Sequence, residues 1–276
     1  MELLQLEHGC AAQTLCSTTA SNVTPLAKTL LLRLAVALAT VFVWQASWRL
    51  IQWNERLFPP PSKVFATLAG DITSGALFVD VWASLKRVAI GYAAGASLGI
   101  LFGVFTGTQK WADAVFGSLF QLVRPIPPIA LVPLVIVWFG IGETGKVLLV
   151  IVGVMFPVWL NTHLGVSAIS TTHLYLVQSL RAGYWSQLWN IWLPGAAGSI
   201  AAGLRVSVAL GFYCLIAAEM TGALHGLAYR IELAHLAFRV DRMLGHMIVL
   251  GVLSFFADTL TRLTLSKLLP WTVQPE

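Results

Sequence analysis

Residues 88–107 read VAIGYAAGASLGILFGVFTG, twenty residues without a charge. At about 1.5 Å of rise per residue, a helix of this length covers the roughly 30 Å hydrocarbon core of a bilayer. Gly91, Gly95, Gly99, Gly103 and Gly107 recur every fourth residue. Four residues turn a helix through about 400°, so the glycines form one slowly rotating stripe. In lipid, a stripe without side chains lets a second helix approach to backbone contact. The segment predicts a membrane helix packed tightly within a bundle.

The rest of the chain agrees with that reading. Of 276 residues, 57% are hydrophobic and 11% charged, and the mean hydropathy is +0.79. Soluble domains carry about 25% charged residues, and porin strands alternate apolar with polar. Both classes are excluded, and an all-α polytopic helical bundle of about six spans is expected. Hydropathy places these at 30–51, 88–107, 116–140, 147–166, 196–220 and 247–268. Six spans put both termini on one side, and the Lys/Arg distribution leans only weakly towards placing them outside. The net charge of +5 is scattered, which gives no nucleic-acid footprint. Cys10, Cys16 and Cys214 have neither metal spacing nor a disulfide framework, and the six histidines form no ligand pair, so no metal is expected.

The third span contains Arg124-Pro125-Ile126-Pro127-Pro128, with Pro133 following. Each proline lacks a donor and leaves the carbonyl four residues earlier without its helical partner. Hydrocarbon cannot replace that bond, so a broken helix at membrane depth must be buried in protein or line a wet cavity. With a cation at the break, one reading is a translocation pathway favouring anions; the other puts Arg124 at a headgroup with a kinked helix after it. Further pathway candidates are Asn161, His163, Arg205 and Glu219, polar groups in or near spans. Arg205 and Glu219 lie about 21 Å apart along a straight helix and cannot pair within it.

Gly140-Ile141-Gly142-Glu143-Thr144-Gly145-Lys146 fits the start of a P-loop, but Val147 stands where Mg²⁺ binding needs Ser or Thr. It reads as a turn between spans, so no nucleotide site is expected here. Trp185, Leu188, Trp189 and Trp192 fall at i, i+3, i+4 and i+7, predicting a short amphipathic helix outside the bilayer. Such a helix either lies in the interface or enters a groove on a partner; Pro194 then opens the fifth span. Leu227, Ile231, Ala234 and Phe238 predict a second amphipathic helix, which either caps the bundle or meets a partner.

Residues 58–271 resemble the inner-membrane permease subunits of binding-protein-dependent ABC importers, in the group that carries nitrate, bicarbonate, taurine and aliphatic sulfonates. The segments carrying the resemblance include Phe58-Pro59-Pro60-Pro61-Ser62-Lys63-Val64, Ser84-Leu85-Lys86-Arg87-Val88, Trp138-Phe139-Gly140-Ile141-Gly142-Glu143, Gly203-Leu204-Arg205, Ala217-Ala218-Glu219 and Leu269-Pro270-Trp271. The resemblance implies a type I importer architecture: a cytoplasmic tail at 1–29, a permease domain at 30–271 and a C-terminal tail at 272–276. Both termini would be cytoplasmic in a bacterial inner membrane. It makes residues 167–195 the coupling loop to a cytosolic ATP-binding subunit, with Val177, Ser179, Arg181, Ala182, Gly183, Trp185, Trp189, Leu193 and Pro194 as its contact residues. Tyr175, Leu176 and Val177 replace the family's usual Glu-Ala-Ala, and Arg181 its glycine.

The remaining implied partners are a periplasmic substrate-binding protein, a second permease copy as a homodimer, and membrane lipid. The chain itself binds no cofactor, ATP and Mg²⁺ being held by the partner subunit. Two rival functions are an ion-coupled carrier and an anchor subunit without a pathway. The first would want membrane carboxylates and internal repeats, and the proline-broken span argues against the second.

Overall fold

The computed structural model describes residues 24–51, 53–170 and 183–270. Their contacts divide the chain between Lys63 and Val64. The first unit holds helix α1 (Thr24–Ile51) and a connection in which Phe58 packs between Trp44 and Trp53. Lys63 pairs with Glu55 at 2.9 Å. The expected span at 30–51 falls within α1.

Helix α2 (Pro61–Thr73) crosses into the second unit. There follow α3 (Ala76–Thr108), α4 (Lys110–Val123), α5 (Pro128–Phe139), α6 (Glu143–Ser167), α7 (Tyr184–Met220), α8 (Leu227–Leu236) and α9 (Val240–Leu268). Among the described residues α3, α6, α7 and α9 are each long and apolar enough to cross a membrane, and α4 with α5 forms a pair bent by 89°.

The glycine stripe of α3 packs on α6. A Cβ added at Gly91 would stand 2.6 Å from Val150 Cβ, at Gly99 2.7 Å from Val158 Cβ, and at Gly107 2.8 Å from Val166 Cβ. Gly95 faces Val154 and Gly103 faces Thr162 in the same way. The β-branched row Val150, Val154, Val158, Thr162 and Val166 is therefore a ridge seated in a groove of glycines. Stiff at χ1, these side chains fill the groove at little entropic cost. The seam continues into a core of Val88, Ala96, Val208, Phe212 and Leu215.

The pairing also gives the direction of each helix. Each glycine i of α3 meets the side chain of residue i+59 of α6, so the two helices run parallel. Residues 109–142 must then carry the chain back across the layer, which makes the bent α4–α5 pair a broken crossing and not a loop returning to its own side. Helix α7 runs antiparallel to α6, since Gly153 meets Cys214 while Gly165 meets Ser199.

One expectation is corrected. The tryptophan-rich segment is not a separate helix: Tyr184–Met220 is continuous, passing through a π-helical turn at Leu188–Trp192 directly before Leu193 and Pro194. A wider turn accommodates the proline where an α-helical one would clash. Of the expected apolar face, Trp192 is buried with Val104, Val166, Ala196 and Ile200, whereas Trp185 and Trp189 are exposed.

If backbone contact along this seam holds the bundle together, Gly99→Ala should destabilise the chain in nanodiscs by about 1–3 kcal/mol, the usual overpacking cost. A Cβ at Gly70 on α2 meets nothing within 4 Å, so Gly70→Ala should leave stability unchanged or raise it by up to about 1 kcal/mol. Thermal unfolding followed by tryptophan fluorescence compares the two.

Candidate functional site

The break between α4 and α5 spans residues 124–127. The Arg124 N–H still reaches Phe120 O at 2.8 Å, and Ile126 N–H reaches Val123 O at 3.0 Å. Ala130 N–H bonds Pro127 O at 2.9 Å and starts a 3₁₀ turn at Pro128, after which Pro133 sits in the first turn of the α-helical part, where no donor is needed. The four prolines thus convert one span into two half-helices with Arg124 at the joint.

Arg124 lines a cavity of about 340 Å³ between this break, α6 and α7. Pro128, Phe156, Pro157, Asn161, Leu210 and Tyr213 are among its walls, and among the described residues Arg124 is the one charged residue on it. Pro157 has no N–H to give the carbonyl of Gly153, and both residues line the same cavity. Asn161 donates through Nδ2 to Pro157 O at 2.8 Å. The site can therefore hold an anion by one guanidinium, with neutral polar groups and apolar walls around it.

The structure brings Arg124, Pro128 and Asn161 together and sends the other pathway candidates elsewhere. Pro125 and Pro127 are exposed at the break itself. His163 turns to α3, its Nδ1 3.0 Å from Thr106 Oγ1, which also accepts from Trp159 Nε1 at 3.1 Å. Arg205 is exposed on α7 beside Val206, a cavity-lining residue. Among the coupling-loop candidates, Val177, Ser179, Arg181 and Ala182 lie outside the described residues. Gly183 is extended before α7. Trp185 and Leu193 line an apolar cavity of about 540 Å³ with Ile100, Leu101 and Phe105 of α3, and Pro194 is exposed.

Glu219 lies in a buried charge network at the end of the bundle where α3 and α6 begin and α7 finishes. It is 0% exposed. Its carboxylate accepts from Arg87 Nη1 at 2.6 Å, from Ser84 Oγ at 2.8 Å and from the Ala228 N–H at 3.0 Å. Arg87, 5% exposed, also forks onto Glu143 through Nε (2.6 Å) and Nη2 (2.7 Å) and reaches His225 O at 2.7 Å. Lys146 joins Glu143 at 3.0 Å. Beside this, Asp80 accepts from Arg230 Nε at 2.6 Å and from the Gly226 N–H at 2.9 Å. Gly226 has φ 142°, and a Cβ there would run into the Glu219 carboxyl. A single side chain added at this turn would displace the loop that completes the network.

Ser84, Arg87 and Glu143 appear in the sequence analysis only within the segments that carry the resemblance, Asp80 not at all, and none of the four as a site residue. The signal for three of them was present, since Asp80, Ser84 and Arg87 extend the face that Gly91 and Gly95 continue. Helix α3 begins twelve residues before the expected span because Asp80 and Arg87 are paired inside the protein.

Residues 97–269 match the family model described as binding-protein-dependent transport system inner membrane component. The chain is 30% identical over 254 residues to the taurine transport system permease protein TauC of Escherichia coli K12, covering 90% of this chain and 92% of that one. It is 26% identical to the nitrate import permease protein NrtB of Synechocystis sp. PCC 6803, with 75% of each chain covered. A solved structure of the MetNI methionine ABC transporter in inward-facing conformations matches with a TM-score of 0.61 at 17% identity, covering 74% of this chain and 99% of that chain. This last likeness is one of fold.

Breaking a buried ion pair from one side strands a charge and costs about 3–5 kcal/mol. Glu219→Ala should therefore destabilise strongly, and Glu143→Ala less, because the Glu143 side chain is 63% exposed and Arg87 keeps Glu219 while Lys146 loses the carboxylate it meets. Combining Glu219→Ala with Arg87→Met should recover part of the loss, measured as thermal unfolding in nanodiscs.

Proposed function

The chain belongs to the inner-membrane components of binding-protein-dependent transport systems, and from that premise we propose that two copies of it form the path by which an ABC importer carries a small sulfonate-like anion inward. It is a multi-pass inner-membrane permease and a transport subunit, not an enzyme. ATP and Mg²⁺ belong to separate cytosolic subunits that dock on the coupling loop before α7, and a periplasmic protein delivers the solute at the Glu219 end. Both termini then lie in the cytoplasm.

The observation that carries this reading is Arg124 as the single charge, among the described residues, on the cavity at the broken span. A guanidinium matches the geometry of an oxyanion better than an ammonium does, because its fork offers two parallel donors. The apolar walls suit a short aliphatic group behind that oxyanion, and the TauC relative, named for taurine, favours the sulfonate over an inorganic anion. The nucleotide subunits contribute by binding one arrangement of the two copies more tightly than the other, since equal affinity for both would shift nothing.

Uptake of radiolabelled taurine by proteoliposomes holding the permease, its ATPase and its binding protein tests this. Hydrogen bonds to a charged group contribute about 1.5–3 kcal/mol, so Arg124→Gln should lower kcat/KM about ten- to hundredfold, while the complex still assembles and Arg124→Lys keeps part of the activity. Undiminished uptake by Arg124→Gln would overturn the assignment, and uptake driven by an ion gradient with no ATPase present would overturn the importer reading.

A further inference from the structure

A second polar cluster lies at the Glu219 end, between α2, α3, α8 and α9, and takes no part in the cavity at Arg124. Asp71, Ala76, Asp80, Arg230, Arg242 and His246 line a cavity of about 10 Å³ there. Asp71, Asp80 and His246 are all buried. Arg242 Nη2 donates to Asp71 Oδ1 at 2.9 Å. Asp71 Oδ2 and Arg242 Nε are both buried and have no hydrogen-bond partner among the described residues. A buried acceptor and a buried donor left empty each carry their full cost of desolvation.

His246 supplies the third member. Its Nδ1 lies 2.9 Å from the carbonyl oxygen of Arg242, and a carbonyl only accepts, so Nδ1 carries the hydrogen. In the neutral ring Nε2 is then a bare acceptor. It stands 3.9 Å from Asp71 Oδ2, beyond hydrogen-bond range, so two acceptors face each other across the gap. The surrounding charges are already engaged. Asp80 is held by Arg230 and the Gly226 N–H, while Asp241 takes Arg239 at 2.8 Å and the Thr67 hydroxyl at 2.9 Å. With His246 neutral, the carboxylates of Asp71 and Asp80 balance the guanidiniums of Arg230 and Arg242.

Two acceptors and one donor around a space of about one probe sphere match one molecule. A water has two hydrogens for Asp71 Oδ2 and His246 Nε2 and a lone pair for Arg242 Nε, and a cavity needs roughly 10–15 Å³ to hold it. We propose that this cavity is a buried water site that latches α2 to α9, and that protonation of His246 converts the bridged contact into a direct one. A proton on Nε2 makes that nitrogen a donor to Asp71 Oδ2, so the ring needs the water no longer and the gap closes. In the orientation proposed above the latch faces the compartment from which solute arrives, but its chemistry does not depend on that orientation.

The test is a high-resolution cryo-EM map of the full chain in nanodiscs, recorded at about pH 8 and about pH 5. At the higher pH a spherical density within hydrogen-bond distance of Asp71 Oδ2, His246 Nε2 and Arg242 Nε is expected. At the lower pH, the Asp71–His246 separation should fall to hydrogen-bond length. Thermal unfolding at the higher pH supplies an independent readout. Asp71→Asn and His246→Phe should each lower Tm, and the double variant should lie no lower than the worse single one, because either change already dismantles the bridge. A dry cavity at the higher pH, a direct Asp71–His246 bond already present there, or strictly additive Tm losses would each overturn the proposal.

Discussion

The bundle depends on one contact, the seating of a β-branched ridge of α6 in the glycine groove of α3. Lipid tails are as apolar as the side chains they would replace, so burial alone gives two membrane helices little reason to associate. What remains is dispersion, which falls away over a fraction of an ångström. Five glycines in register with Val150, Val154, Val158, Thr162 and Val166 place backbone against side chain at the shortest allowed separation along the whole seam. Its constant register also makes the two helices parallel, and parallel neighbours joined by 34 residues require a return crossing. The broken span is thus the topological consequence of the seam.

At one end the seam runs into charge. Asp80, Ser84 and Arg87 occupy the same face of α3 as the glycines, so the stripe that accepts α6 in the membrane accepts Glu219, Glu143 and the Gly226 turn beyond it. Burying such groups contributes little net stability against an apolar core of the same shape. Its effect is specificity: Arg87 has donors for two carboxylates and a carbonyl, and one arrangement of α3, α6, α7 and the connecting turn satisfies them together. The network therefore fixes where α7 stops and how α8 begins, a position apolar packing would leave free to slide.

The sequence made part of this legible. The glycine period, the positions of the long helices and the break at Arg124 follow from local rules, namely rise per residue, small-residue spacing and backbone hydrogen-bond accounting. The partner of the glycine groove did not follow, because an offset of 59 residues is a tertiary fact. The network was hidden for a related reason. Arg87 and Glu143 read as loop charges flanking spans, since hydropathy has no means of telling a charge paired inside protein from one facing water. The tryptophan segment misled because Pro194 looks like a helix start, whereas a π-helical turn absorbs the proline and α7 runs on. At the cavity, Arg124 and Asn161 were visible as polar groups in apolar surroundings, but His163, two residues from Asn161, turned to the α3 side.

These constraints also separate the rigid seam from the part of the chain whose backbone is interrupted. Along the α3–α6 seam, displacement by even a fraction of a turn would drive valine side chains into a backbone that has no room for them, so α3 and α6 must move as one body, and α7 is tied to both at Glu219. The α4–α5 pair is different. It packs on that body through Phe120 against Phe156 and Trp159, and through Val132 and Val135 against Leu149, Ala217 and Ala218, but its backbone is interrupted at 124–127 and turned at Gly140, where φ is 72°, and its joint carries the charge of the cavity. Changes of state in a packed protein pass between discrete arrangements at hinges and are not spread as gradual deformation. In a transport cycle run by this fold, the break at 124–127 is therefore where the hydrogen-bond ladder that stiffens the other long helices is missing, and the cation sits at that break.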